Sequence, residues 1–97
     1  MALNKSDLTQ IKNYIRRIST TQMDIIDHEI RILDLDGRID SEQRRLSNSK
    51  SDSQSKLFSR NIENFQKDRL KIEDKILSCR KTIMQLEKEL SRIEAKR

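Results

Sequence analysis

From Phe58 to Ile93 the chain places a residue of one stripe at every third or fourth position. The series reads Phe58, Ile62, Phe65, Arg69, Ile72, Ile76, Cys79, Ile83, Leu86, Leu90 and Ile93, and Arg69 is its only charged member. Alternating steps of three and four keep such a series on one face of an α-helix, the pattern of a coiled-coil seam. So narrow a stripe buries nothing unless another helix lies on it. The chain must therefore fold by pairing helices, and its function is expected to follow from binding them.

Composition agrees with this reading. Charged residues make up 38% of the chain, there is one Gly and no Pro or Trp, and only 3% of residues are aromatic. That excludes the turn-rich, aromatic-rich makeup of a β-sandwich and favours long helices. A chain of 97 residues holds one domain at most. It buries a limited share of its surface, so a partner or self-association is expected to complete it.

A second seam runs through the first half: Leu8, Ile11, Ile15, Ile18, Gln22, Ile25, Glu29, Ile32, Asp36, Ile39, Gln43 and Leu46. Asn4 or Ser6 can cap this helix, with Asp7 favourable in its first turn. Residues 47–55 are rich in Ser and hold no apolar side chain, which marks a loop. Within it, Ser51 and Gln54 have the spacing of a capping box. The fold class expected is all-α: one antiparallel helical-hairpin domain over 1–97, with helices over about 5–46 and 56–96, associating into a four-helix bundle.

Folding the chain at the serines pairs Ile39 with Ile62, Ile25 with Ile76, Ile18 with Ile83, Ile15 with Leu86, Ile11 with Leu90 and Leu8 with Ile93. A slip of one heptad matches the seams equally well. In the first register Ile32 lies beside Arg69, with Asp36 and Glu29 in the adjoining layers. A guanidinium in a seam needs a carboxylate partner, so Arg69, Asp36 and Glu29 are expected to act as a register device. Met23, Ile26, Ile30 and Leu33 on the first helix, and Leu70, Leu77 and Met84 on the second, lie off both seams. Two helices cannot cover them as well, and an exposed apolar band of this kind marks an interface. These seven are the expected partner-binding residues.

Chemistry finds little foothold. Asp34-Leu35-Asp36-Gly37-Arg38-Ile39-Asp40 resembles the middle of an EF-hand loop, but Ile32 and Gln43 fall where two main ligands belong. It reads better as an acidic turn of helix in which Gly37 favours a bend. One His and one Cys are too few for a metal site. In the expected pairing Cys79 lies opposite Gln22 and His28 sits on a flank, so they do not form a catalytic pair. No phosphate loop, nucleophile elbow or zinc-protease motif occurs. The expectation is a protein that is not an enzyme, with no cofactor and no metal.

Charge is uneven. Residues 1–47 hold eight basic and eight acidic side chains, while residues 48–97 hold thirteen and eight, which accounts for the net +5. Lys67, Arg69, Lys71, Lys75, Arg80 and Lys81 cluster on the second helix and are expected to pair with Asp24, Asp27, Asp34 and Asp36 across the hairpin. The charge is far from the dense Lys/Arg patch of a dedicated nucleic-acid binder, so nucleic acid is not the expected ligand. One cysteine and no apolar leader or span point to the cytoplasm, a reducing compartment.

The leading functional expectation is a non-catalytic helical interaction module, an adaptor, assembly factor or chaperone, that binds a partner helix or itself as a homodimer. The alternative is a small hairpin substrate or escort of a bacterial specialised secretion system. In length and layout the chain is similar to the secreted hairpins with a Trp-x-Gly turn, although its own loop reads Ser-Asn-Ser-Lys-Ser-Asp. A third is a nucleic-acid-binding bundle, similar in architecture to the Rop-type plasmid regulators.

Overall fold

A computed structural model describes residues 3–96. The protein is an all-α helical hairpin: α1 spans Lys5–Ser47 and α2 spans Asp52–Glu94, with no strand among the described residues. Asn4 caps α1. The Asp7 amide donates to Asn4 Oδ1 at 2.8 Å, and the Asn4 amide donates back to Asp7 Oδ2 at 3.2 Å. This reciprocal pair satisfies two of the amides a helix start leaves open. Residues 48–51 make the turn. The Gln54 amide donates to Ser51 Oγ at 3.3 Å, so α2 begins at the capping serine, earlier than the end of the Ser-rich stretch suggests. Ser49 Oγ donates to the Ser51 carbonyl at 3.1 Å and accepts from Ser55 Oγ at 3.0 Å.

Gly37 does not break α1. The helix runs through it unbroken, its φ is not positive, and the space where a Cβ would stand is open. The roughly 1 kcal/mol that Gly costs in a helix is small beside the packing on either side.

The chain forms two compact units. The first combines residues 1–26 with 76–97, and the second is residues 27–75. In each, a stretch of α1 lies against a stretch of α2. The α2 seam is the one its sequence shows: Ile72, Ile76, Leu86 and Ile93 are buried, and Phe58, Ile62, Phe65, Arg69, Cys79, Ile83 and Leu90 are half-buried.

The α1 seam differs from expectation in every second slot. Ile11, Ile18, Ile25, Ile32, Ile39 and Leu46 face inward as expected. The slots between them are Asp7, Tyr14, Thr21, His28, Leu35 and Glu42, one residue earlier than Leu8, Ile15, Gln22, Glu29, Asp36 and Gln43. Leu8 and Ile15 are 52% and 53% exposed. The reason is the cost of burying carboxylates. One unbroken helix uses one stripe. A stripe holding Leu8 and Ile15 would also draw Glu29 and Asp36 inward. The stripe adopted buries Asp7 and Glu42 instead, and both are bonded: Asp7 to Asn4 and Lys96, Glu42 to Asn61 at 3.3 Å and Arg45 at 3.0 Å.

Register differs accordingly. Asp36–Arg69 and Glu42–Asn61 in the second unit, and Asp7–Lys96 in the first, join the helices. The pairing is slipped by about three residues from the one expected, and it again sets the two kinds of seam slot opposite each other. Ile39 comes opposite Phe65, Ile32 opposite Ile72 and Leu35 opposite Arg69. Carried through the first unit from Asp7–Lys96, this register pairs Ile11 with Ile93, Ile18 with Leu86 and Ile25, rather than Gln22, with Cys79. His28 occupies a seam slot rather than a flank, and its Nδ1 is enclosed without a hydrogen-bond partner.

Candidate interaction surface

The helices divide apolar side chains unequally between inside and outside. Ile11, Ile72, Ile76, Leu86 and Ile93 are buried, and no large side chain is fully sealed from solvent among the described residues. Ten large apolar residues among the described ones are more than half exposed. All seven expected partner-binding residues are among them, from Leu77 at 53% to Leu33 at 70%. Leu8, Ile15 and Leu57 complete the set.

Each unit carries its own share. In the first, Leu8, Ile15, Met23 and Ile26 lie along α1, and Leu77 and Met84 along α2. Heptad geometry turns them to the edge of the helix pair away from the Asp7–Lys96 bridge. In the second, Ile30 and Leu33 lie on α1, and Leu70 on α2 beside Asp36, Ile39, Gln66 and Arg69 in one shallow hollow. The sequence showed seven of these residues directly. Leu8 and Ile15 were missed because their spacing also fits a seam, and only the choice of stripe puts them outside.

Arg69 sits half-exposed at the rim of its layer. Its Nε donates to Asp36 Oδ1 at 2.8 Å, and its Nη1 bonds Glu73 one turn along its own helix. Glu73 takes the place expected for Glu29, which is exposed and makes no ion pair among the described residues. The hydrogen bond donated to Asp36, and the charges of both carboxylates, hold the guanidinium even more firmly in its charged form than usual. At the N-terminal end, the hydrogen bond that the Asn4 backbone amide donates to the Asp7 carboxylate, followed by that from Lys96 Nζ at 3.2 Å, lowers the Asp7 pKa below its ordinary 3.8.

Of the expected pairs between the basic part of α2 and the acidic part of α1, only Arg69–Asp36 forms. Lys71 and Lys75 instead line a hollow of ≈ 390 Å³ in the second unit with Arg31, Asp34, Arg38 and Asp68, over Leu35 and Ile72. Four cations and two carboxylates line it, so the hollow is a solvated groove with a modest positive surplus. The segment resembling a calcium loop is helical throughout. Its Asp36 is bonded to Arg69 and its Asp40 to Arg44 at 3.1 Å. Among the described residues no three His, Cys, Asp or Glu side chains gather closely enough to hold a metal ion. No described helix is long and apolar enough to cross a membrane.

Fold and surface together define a class, an all-α helical hairpin with unpartnered apolar ridges. No family model, curated protein or solved structure matches the chain.

Proposed function

We propose that this chain is a non-catalytic protein–protein interaction module, an adaptor, assembly factor or chaperone, that takes up further helices on its exposed apolar ridges. One observation carries the reading: ten large apolar side chains among the described residues are more than half exposed, outside the seam that joins the helices. Helices joined by one seam leave such ridges open, and the usual way to cover them is another helix, as in a four-helix bundle. The free thiol of Cys79 fits work in a reducing compartment such as the cytoplasm.

The test is the joint substitution Ile30→Asp and Leu77→Asp, one residue from each unit. The expected result is that the parent chain forms a defined complex, with itself or with a helical protein of its host, and that the variant keeps its helicity but loses the complex. Light scattering after size exclusion, with pull-down from the host, reads it. A parent and a variant that are both plain monomers without a partner would remove this reading.

A further inference from the structure

The two units are charged differently, and the difference lies on their apolar ridges. Residues 1–26 with 76–97 hold ten basic and five acidic side chains, the whole net +5. Residues 27–75 hold eleven of each. On α1 of the first unit, Lys12 falls between Leu8 and Ile15 at helical spacing, with Arg16 one turn further. On α2, Lys81 falls between Leu77 and Met84, and Lys88 follows one turn after Met84, sharing a hollow with it, Arg92 and the single carboxylate Glu87. Lys12, Arg16, Lys81 and Lys88 are exposed and make no ion pair among the described residues.

The second unit shows the converse. Its exposed Ile30 and Leu33 are bordered by Asp27 and Asp34 on one side of the helix and Glu29 on the other. These carboxylates are exposed and likewise without an ion pair among the described residues. One protein thus displays one apolar ridge bordered mainly by cations and another bordered mainly by carboxylates.

We infer that the partner is a second copy of this chain, with the acidic ridge of residues 27–34 seated on the basic ridge formed by Lys12, Arg16, Lys81 and Lys88. This deepens the reading of the chain as a helix-binding module and rests on it. Like ridges repel, so the contact joins unlike surfaces. Apolar residues supply the burial, while complementary charge sets orientation and speeds encounter. The contact weakens as salt screens the charges.

Charge reversal tests it on the full chain. One variant carries K12E, R16E, K81E and K88E, and the other D27K, E29K and D34K. Each alone should associate at least about tenfold more weakly than the parent. Mixed in equal amounts they should recover affinity to within about threefold of the parent, because each then offers ridges that complement the other's. Far-UV circular dichroism checks that both stay helical. If one does not, salt titration of the unmodified parent replaces it, with weakening expected and indifference to salt overturning the proposal.

A parent that is monomeric at about 100 μM in low salt overturns self-association. So does association that survives both reversals, or a mixture that recovers nothing. If association survives the reversals but is lost in the Ile30/Leu77 variant, the broader reading stands and only the electrostatic self-pairing fails.

Discussion

Ile11 and Ile15 are one turn apart on α1, and both fit a seam by spacing, yet the structure buries one and exposes the other. Ile11 is 9% exposed and Ile15 is 53% exposed. Ile11→Ala removes three buried carbons, roughly 2.4 kcal/mol at about 0.8 kcal/mol each, plus a cavity contribution. A layer open to solvent collapses more easily than a deep core, and Ala is the better helix former by a few tenths of a kcal/mol. The expected net loss is about 2 kcal/mol. At Ile15 only about half of the same transfer is at stake, and helix propensity offsets part of it, so the loss should stay near 0.5 kcal/mol. Urea unfolding followed by circular dichroism at low micromolar concentration compares the two without interference from association. Equal losses would refute the reasoning, because they would put Ile15 in the seam and the inward stripe one residue later along α1.

Further outcomes follow from the same geometry. Gly37→Ala should stabilise the protein by about 0.5–1 kcal/mol, since the helix is regular there and nothing occupies the Cβ position; destabilisation in the same urea assay would contradict it. The Asp7 carboxylate should titrate below 3.8 by NMR. A lowered folded-state pKa contributes stability above the unfolded-state value, and that stability is lost as pH falls through the folded-state value. The N-terminal end of α1 should therefore lose amide protection below about pH 4, and Asp7→Asn should remove that step. Cys79, half-buried in its seam, should react with a thiol reagent at least about tenfold more slowly in the folded protein than in urea; equal rates would place it outside.

Part of the candidate surface was legible because it required no choice. Met23, Ile26, Ile30, Leu33, Leu70, Leu77 and Met84 lie off both the expected and the adopted seams, so their exposure follows from either. The Asp36–Arg69 contact was legible too, because a guanidinium on a seam seeks the nearest carboxylate on the facing helix. Its second partner was not, since Glu73 one turn along the same helix competes with Glu29. The two charged ridges emerge only when the chain is divided by contact into its two units. Counting by halves of the sequence splits the basic surplus differently.

The amino-acid sequence by itself determined the helices, their caps, the serine turn and the seam of α2, because each depends on spacing or on contacts a few residues apart. Tertiary structure decided which stripe of α1 turns inward and how far the helices slide. Both choices compare burial of whole stripes, and on α1 two stripes share the same isoleucines. The balance was tipped by where carboxylates could find partners on the other helix, which no local pattern records.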